Sequence, residues 1–547
     1  MNTRTILRTL AALALLGLLL GGLAALAWFD NEANRGITFA PNPAPIPYAD
    51  GPLIGVNAYN IQFEADHAKV VRTLEMARDM GARYVRMQLP WDDVEIAAKG
   101  DFVDRRNGAA RDAWEKYDLL FAELKRLGLE PIVRIDRPPD WARAKAIATP
   151  EWQAIFALNG NSSGPPDSYA DYADFVAAVA ARYRGEVRYI QIWNEPNLKD
   201  EWNGQEPSPA QFLDMLRQAG RAARAANPAA VIIFPSLAPT DGLDSRAPLT
   251  DLEYLDAIYQ LGGAADFDIM SAQAYGLGQP PDEHRYVFAR GGGNWNWRQP
   301  IDTRIDVSRL PLLREVMERN GDAHKAIWIS EFGYTAAPES IPAERRFGWG
   351  PPVSEQQKGE YLVGQIERAR REWPWVGVMN VWILRWGGPD PSPDDPTPYF
   401  ALVDRDFQPL PAYAAIQRYL AQPAVAGVGA HTLAHPAAIR QGDRVSFRFE
   451  GTSLALTGSG AASVAIDGGP ASQVTLAGQP TTVTQHLTNT AHTAVITGAA
   501  PAALIVAREH AGWAWAAGAG TLLVALAALG AAIPRIIFLS APKGKQP

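Results

Sequence analysis

The stretches Gln191-Ile-Trp-Asn-Glu-Pro-Asn197 and Ile327-Trp-Ile-Ser-Glu-Phe-Gly-Tyr334 decide how this chain folds. Each is an apolar, β-prone run that ends in a glutamate followed by turn residues. Because the carboxyl ends of parallel strands share one rim of a sheet, we expect Glu195 and Glu331 to lie close together. The two stretches therefore predict a parallel sheet with paired carboxylates at its rim.

Short β-prone runs alternate with helical patterns from residue 53 to residue 422. The predicted strands are Leu53–Asn57, Tyr84–Gln88, Pro131–Ile135, Tyr189–Trp193, Val231–Phe234, Ile269–Gln273, Ala326–Ser330 and Val378–Ile383. The predicted helices are Ala65–Met80, Trp114–Leu127, Tyr169–Tyr183, Ala210–Ala226, Leu252–Leu261, Ser308–Asn320, Ser354–Glu372 and Ala412–Ala421. Eight strands alternating with eight helices predict an α/β fold, a (β/α)8 TIM barrel.

Two local patterns refine this prediction. Strict alternation in the seventh strand places Ile327, Ile329 and Glu331 on one face, so branched side chains would fill the barrel interior below the glutamate. Ser354 and Gln357 have the spacing of a capping box, which predicts the start of the seventh helix.

The composition changes sharply after the barrel. Residues 423–505 are rich in Thr, Ala, Gly and Val and contain alternating runs such as Arg444–Phe449, which predict a small antiparallel β-sandwich. The sequence around 449–468 resembles galactose-binding-like jelly rolls. The only aromatic residues of the module at 423–505 are Phe447 and Phe449. Both lie on one face of a strand, where core packing explains them. We therefore favour a stalk or accessory module over a sugar-binding one.

Both ends of the chain carry hydrophobic segments. Residues 1–29 contain two arginines followed by an uncharged run from Thr9, which predicts a signal peptide or an uncleaved signal anchor. Residues 511–534 predict a transmembrane helix, followed by a short basic cytoplasmic tail at 535–547. A buried Ala/Gly-rich core helix is the alternative for 511–534. Residues 30–52, rich in proline, predict a stiff linker.

The flanking charges predict an orientation. Arg4 and Arg8 precede the first hydrophobic run, and Arg535, Lys543 and Lys545 follow the second. The positive-inside rule then predicts a cytoplasmic-membrane protein with both termini inside and an extracytoplasmic barrel, which makes the lipid bilayer a partner through the terminal helices.

Composition excludes several other classes. The chain has 547 residues, a formal net charge of -8 and no cysteine, so a basic footprint for nucleic acid and any cysteine-based metal site or nucleophile are absent. The eight histidines show no paired metal spacing. We expect neither a nucleic-acid partner nor a metal or other cofactor.

The two glutamate motifs are similar to those of glycoside hydrolase clan A, and the resemblance covers the whole barrel. In that clan Asn-Glu-Pro ends the fourth strand, as at 194–196 here, and a second glutamate ends the seventh, as at Glu331. The resemblance implies a retaining enzyme with Glu195 as acid/base and Glu331 as nucleophile. Retaining chemistry needs carboxyl groups about 5–5.5 Å apart, and a raised pKa on the acid.

The resemblance also implies partners for this pair. Arg86 and Tyr275 match the arginine and tyrosine that support the nucleophile in clan A, and Asn194 matches the asparagine that holds the sugar 2-hydroxyl. The alternatives are a buried ion pair for Arg86 and simple core packing for Tyr275. Gln273 departs from the histidine that many clan members carry there, so we leave it outside the catalytic set.

Tryptophans supply candidate sugar platforms. Several follow predicted strands and hence lie on the functional face, with about half expected to be packing residues. They are Trp91, Trp141, Trp202, Trp295, Trp297, Trp349 and Trp386. Trp382, inside the eighth strand, resembles the clan's tryptophan at the floor of the site. Trp91, Trp295 and Trp297 are the substrate platforms we predict in addition to Trp382.

Together these observations predict a membrane-anchored retaining β-glycosidase that acts on extracellular poly- or oligosaccharide. Residues 55–57, with 400–404 and 411–413, look most like family 39 and the related family 5 enzymes, including hydrolases of bacterial exopolysaccharide. A family 5-like endoglucanase or mannanase is one alternative. A catalytically idle barrel that binds surface polysaccharide is an alternative of another class.

Overall fold

The computed structural model describes residues 3–159, 164–240, 247–282, 305–510 and 518–528. Its contacts divide the chain into two compact units. One unit is Ala40–Arg508, and the other combines the two ends, Met1–Phe39 and Glu509–Pro547.

The larger unit begins with eight parallel strands in one sheet. In chain order they are β1 Leu53–Asn57, β2 Tyr84–Pro90, β3 Glu130–Asp136, β4 Tyr189–Ile192, β5 Val231–Ile233, β6 Met270–Gln273, β7 Ile327–Phe332 and β8 Val376–Val381. The spatial order is β5-β4-β3-β2-β1-β8-β7-β6. A parallel bridge between Ile233 and Ile269 joins β5 to the start of β6 and closes the sheet into a barrel. The predicted barrel is confirmed.

Eight helices surround the barrel, one after each strand. They are α1 His67–Met80, α2 Glu115–Leu127, α3 Tyr169–Arg182, α4 Pro209–Ala226, α5 Asp251–Gln260, α6 Arg309–Arg319, α7 Glu355–Glu372 and α8 Pro411–Leu420. The capping box predicted at α7 is present, with Ser354 and Gln357 bonding each other's backbone amides. Shorter helices Pro150–Asn159 and Ala343–Arg346 lie in the loops after β3 and β7.

The barrel has two hydrophobic layers with different compositions. The outer faces of the strands pack against the helices in one large core, which includes Ile327 and Ile329. The inner faces at the amino-terminal end form a smaller cluster with Tyr189, Val231 and Trp328. Aromatic rings therefore plug the bottom of the barrel, and the mouth remains free for polar side chains.

This arrangement corrects the face predicted for the seventh strand. Ile327 and Ile329 point outward, whereas Trp328 belongs to the inner cluster. The pairing of β7 with β8 is irregular: Ile329 faces Met379, but Phe332 faces Val381, so β7 holds one extra residue. A β-bulge of this kind re-aims a side chain. The bulge, and not strict alternation, brings Glu331 to the inside of the mouth.

The predicted linker is also corrected at its carboxyl end. The backbone oxygen of Tyr48 accepts a hydrogen bond of 2.9 Å from the Trp328 indole. Asp50 accepts bonds from the backbone amide and the hydroxyl of Thr432 in the second module. Because both contacts are anchored in packed structure, residues 48–50 belong to the barrel floor and not to a free spacer.

A β-sandwich of nine antiparallel strands follows the barrel, as predicted. Its strands are β9 Gly429–His431, β10 Ala438–Gln441, β11 Arg444–Glu450, β12 Ser453–Thr457, β13 Ser459–Ile466, β14 Ser472–Ala477, β15 Thr481–Thr484, β16 Ala491–Gly498 and β17 Ala503–Ala507. The sheet orders are β9-β17-β12-β15 and β10-β11-β16-β13-β14. Phe447 and Phe449 are both fully buried between the sheets, which confirms core packing.

The sandwich is fixed to the barrel by charged contacts. Arg370 of α7 bridges Glu367 of its own helix and Glu450 of β11, each at 2.6 Å. Glu450 also pairs with the neighbouring Arg371 at 3.3 Å. The two modules are thus joined by an ion-pair network as well as by the chain.

The second unit contains a helix from Thr3 to Asn34 and a helical segment at 518–528. A methyl group added to Gly518 would meet the Leu23 side chain at 2.7 Å, so the two segments touch. Among the residues described, no helix is both long and apolar enough to cross a membrane. Of the membrane helix predicted at 511–534, residues 511–517 and 529–534 lie outside the described residues.

A buried ion pair joins the first residues of α5 and α6 and generates a stability prediction. Arg309 pairs with Asp251 at 2.6 Å, with side chains 1% and 0% exposed. Arg309→Leu should lower the free energy of unfolding by about 3–5 kcal/mol, because it leaves an uncompensated buried carboxylate. Denaturant or thermal unfolding of the purified chain measures this change.

The control lies on the same helix. Arg319 pairs with Asp256 at 3.3 Å, and both side chains are exposed. Arg319→Leu should cost less than about 1 kcal/mol. Equal destabilisation by the two substitutions would contradict the role given to the buried pair.

Candidate active site

The mouth of the barrel is polar, in contrast to its aromatic floor. Arg86 of β2 points inward and is 3% exposed. Its guanidinium donates to Gln191 of β4 at 2.9 Å, to Asn57 of β1 at 2.7 Å and to Glu331 of β7 at 2.8 Å. One side chain therefore links four strands at their carboxyl ends.

Glu331 is held by two donors at once. Arg86 bonds Oε1, and the Tyr275 hydroxyl donates to Oε2 at 2.7 Å. Burial and the Glu331 charge raise the pKa of Tyr275 well above its ordinary value, so its hydroxyl keeps its proton. Arg86 brings a positive charge, and Tyr275 a hydroxyl proton, against the two oxygens of the Glu331 carboxyl group. The structure thus places Arg86 and Tyr275 against Glu331, as the sequence led us to expect.

The motif at 193–197 turns the chain sharply after β4. Trp193 and Glu195 both adopt positive φ values, 70° and 36°, which cost of order 1–3 kcal/mol each for such residues. Asn197 stabilises the turn by exchanging two hydrogen bonds of 2.9 Å with the backbone of Ala238 in the next loop. The second asparagine of the motif is therefore structural, and the turn aims Glu195 across the mouth.

Glu195 lies in a different electrostatic environment from Glu331. Burial raises the pKa of Glu195 to about 7, and the charge of Glu331 adds to this effect. Gln273 opposes it by donating to Glu195 Oε1 at 2.6 Å. Gln273 is also the Cα partner of Glu331 in the pairing of β6 with β7, so one residue adjoins both glutamates. With a pKa of about 7, the Glu195 carboxyl group holds a proton for part of the time near neutral pH.

Gln273 thus contacts the site although we left it outside the catalytic set. Its amide occupies the place where many clan members carry histidine. An amide donates to the carboxylate but does not titrate, so it lowers the pKa of Glu195 without adding a second ionisable group. The signal for its role was its spacing of two residues before Tyr275.

Asn194 joins Glu195 to a third carboxyl that the sequence did not reveal. Its amide nitrogen lies 3.4 Å from Glu195 and 3.1 Å from Glu201, and its oxygen accepts from Arg134 at 3.2 Å. Burial, followed by the charge of Glu195, raises the pKa of Glu201 to about 8. Glu201 follows Glu195 by six residues in the same loop, which is the only sequence signal for it.

Arg134 and Asp136 at the end of β3 complete the polar mouth. Arg134 pairs with Asp136 at 2.8 Å, and Asp136 also accepts from Gln88 at 2.7 Å. Gln88 in turn accepts from Gln62 at 3.2 Å. Because Arg134 and Arg86 line one small cavity, two guanidinium groups offset the carboxylates around it. The sequence did not reveal Arg134 and Asp136 as site residues, because charged residues at the end of a strand are usually exposed to solvent.

The structure corrects one of the predicted sugar platforms. Trp91 is fully buried, stacks on Phe175 at 5.4 Å and donates its indole N–H to Glu95 at 2.5 Å. It is a packing residue beneath the loop after β2 and presents no face to a substrate. Trp202 and Trp386 are buried as well, at 2% and 7% exposure.

Two tryptophans remain in positions to meet a ligand. Trp382 follows β8, packs edge-on against Tyr59 at 5.1 Å and lines the cavity beside Arg86. Trp349, in the loop after β7, is 37% exposed. Trp295 and Trp297, which we predicted as platforms, lie outside the described residues.

An eight-stranded βα barrel with glutamates at the ends of its fourth and seventh strands agrees with the resemblance to glycoside hydrolase clan A. The known proteins that are similar to this chain are glycoside hydrolases as well. A curated β-xylosidase of Caldicellulosiruptor saccharolyticus is 29% identical over 139 residues, or 24% of this chain. This chain spans about a quarter, 26%, of that relative. No family model matches the sequence.

The similar solved structures include family 39 enzymes. A family 39 glycoside hydrolase of Bacteroides cellulosilyticus aligns with a TM-score of 0.48 and 17% identity, over 83% of this chain and 82% of that one. A β-xylosidase of Caulobacter crescentus aligns at 0.46 and 16%, over 86% and 98%. An endo-1,4-β-D-mannanase of Thermotoga petrophila aligns at 0.43 and 12%, over 68% and 99%. The predicted resemblance to family 39 and family 5 type glycoside hydrolases is confirmed.

The coupling of the two glutamates generates a prediction about protonation. Glu331→Gln removes the charge that adds to burial in raising the pKa of Glu195, so that pKa should fall below about 7. It should stay above the ordinary value for a glutamate, because burial persists. Difference infrared spectroscopy of the carboxyl bands during a pH titration measures the midpoint.

The Glu195→Gln variant identifies the infrared band of Glu195. The Glu201→Gln variant removes the neighbouring carboxyl group, whose pKa is about 8, so that its band is not mistaken for that of Glu195. An unchanged Glu195 midpoint in Glu331→Gln would show that the two carboxyls are not coupled.

Proposed function

We propose that this chain hydrolyses β-glycosidic bonds of oligo- or polysaccharides by double displacement. The observation that carries the proposal is a pair of buried glutamates in different surroundings: Glu331 is bonded by Arg86 and Tyr275, and burial raises the pKa of Glu195 to about 7. Retaining hydrolysis needs an ionised nucleophile and a protonated acid that flank the scissile bond.

In the first step a Glu331 oxygen attacks the anomeric carbon. The bond from that carbon to the leaving oxygen breaks, and Glu195 gives its proton to the leaving oxygen. The product is a glycosyl ester on Glu331 and a free alcohol. Arg86 and Tyr275 orient the attacking carboxylate and disperse its charge.

The second step reverses the roles. The ester removes the charge of Glu331, so the pKa of Glu195 falls and its carboxyl group stays ionised, free to accept a proton. Glu195 takes a proton from water, and the resulting hydroxide oxygen bonds to the anomeric carbon as the ester bond breaks. The sugar is released with its original configuration, and both glutamates return to their starting states.

The substrate proposed is a β-linked oligo- or polysaccharide outside the cell. Two sequence features support membrane attachment: the uncharged run from Thr9 to Phe29 and the apolar residues after Ala511, each flanked by basic residues on its outer side. The contact between Gly518 and Leu23 brings these segments together. We propose that they hold the catalytic domain at the outer face of the cytoplasmic membrane.

Replacing the nucleophile tests the proposed chemistry. Glu331→Gln should lower kcat on aryl β-glycosides by at least about 10³-fold, since the amide cannot form the glycosyl ester. Azide or formate should restore turnover to Glu331→Ala by entering the space left by the carboxyl. Glu339→Gln, an exposed glutamate in the loop after β7, is the matched control and should retain wild-type rates.

Wild-type rates in Glu331→Gln would remove the double-displacement mechanism. Loss of hydrolysis in every variant and in the wild-type chain would remove the activity itself.

Protease treatment of intact cells tests the proposed location. The barrel of an anchored, extracytoplasmic chain should be degraded by added protease while a cytoplasmic marker protein survives. After cell fractionation it should remain with the membrane in high salt. A protected barrel, or one released into the soluble fraction, would contradict the proposal.

A further inference from the structure

Trp349 lies one aromatic ring away from the proposed nucleophile. Its ring centre is 4.6 Å from that of Tyr275, whose hydroxyl donates to Glu331. Its ring also packs edge-on against Phe400 at 5.8 Å, and Phe400 in turn lies 5.8 Å from Tyr275. Unlike these two buried rings, Trp349 keeps 37% of its surface exposed. An indole is thus presented to solvent at the edge of the catalytic pair.

Glycines hold this indole in place. A Cβ on Gly278, in the loop after β6, would come 2.3 Å from the Pro351 backbone oxygen, and one on Gly350 would come 2.3 Å from that of Leu277. Both glycines have positive φ values, +77° and +78°. The loops after β6 and β7 therefore touch backbone to backbone at a separation that only glycine allows. Trp349 directly precedes Gly350 and is therefore attached to this close contact between the two loops.

We propose that Trp349 is a substrate-binding residue that stacks on a pyranose ring of the glycan and selects for sugars with mainly equatorial hydroxyl groups. Such rings present a face of C–H groups, which is the surface that packs on an indole. An axial hydroxyl on the face that meets the indole would lie against the aromatic ring and lose its hydrogen bonds. The inference rests on the proposed function, which it refines by naming a specificity residue.

Packing alone does not account for this exposure. Tryptophans that serve as packing residues in the same barrel, Trp91 and Trp202, are 0% and 2% exposed. Trp349 also packs against buried rings, those of Tyr275 and Phe400, and lies next to Gly350. More than a third of its surface is nevertheless exposed. A rigid, exposed indole loses little conformational freedom when a ligand binds to it.

Steady-state kinetics test the inference on the wild-type chain and three variants. The substrates are 4-nitrophenyl β-glycosides with equatorial hydroxyls, and a matched glycoside with one axial hydroxyl. Trp349→Ala should raise KM for the equatorial substrate about tenfold with kcat little changed, because stacking acts on ground state and transition state alike. Its preference for the equatorial over the axial sugar should shrink. Trp349→Phe, which keeps an aromatic face, should restore much of both.

Phe347→Ala is the matched control. Phe347 lies in the same loop, is 48% exposed and packs over the Arg346 guanidinium at 5.0 Å. Its removal should leave KM within about twofold of the wild type, since surface truncations away from a site have small effects.

Each outcome bears on one proposal or on both. Kinetics of Trp349→Ala within twofold of the wild type, or an equal loss in Phe347→Ala, would overturn the stacking role while leaving the hydrolase in place. Absence of hydrolysis by the wild-type chain would remove both. If Trp349→Ala does not fold, Trp349→Phe and Trp349→Leu decide: recovery in the first with loss in the second supports the platform, and equal behaviour overturns it.

Discussion

The buried contact between Arg86 and Glu331 is the constraint on which the rest of this site depends. Both side chains are almost withdrawn from water, at 3% and 7% exposure. Each would be costly to bury alone, so the barrel must supply each with the other and with further hydrogen bonds. Asn57, Gln191 and Tyr275 provide these bonds from three more strands. The polar mouth is thus a requirement of charge burial as well as of chemistry.

The same constraint separates the two glutamates. Arg86 and Tyr275 both donate to Glu331, so Glu195 is left with burial and with the amide donors Gln273 and Asn194. Two residues of one chemical type therefore differ in their surroundings because of position alone. Glu201 extends the pattern, since its pKa is raised to about 8 by burial and by the charge of Glu195. The mouth therefore holds carboxyl groups that the proposed reaction does not use, namely Glu201 and Asp136. Arg134 pairs with Asp136 there.

The fold could be predicted from sequence almost element by element, whereas the site could be predicted only in part. The strands and helices follow local periodicity, and most observed boundaries differ from the predicted ones by one or two residues. The face predicted for the residues of β7 was wrong because strict alternation assumes a strand without a bulge. The bulge arises from the pairing of β7 with β6 and β8, which the sequence of β7 does not reveal. Trp91 went wrong because position after a strand does not determine burial, which here comes from Phe175 on α3.

The order of eight βα units and the position of Glu195 and Glu331 at strand ends could be read from the sequence. Both follow from short-range periodicity and from turn residues. The raised pKa of Glu195, the exposure of Trp349 and the set of polar residues that join the two glutamates follow only from tertiary contacts. The physical reason is that burial, charge coupling and hydrogen bonding arise between residues far apart in the chain. Arg86 and Glu331 are 245 positions apart, and their 2.8 Å contact exists only once the barrel has closed.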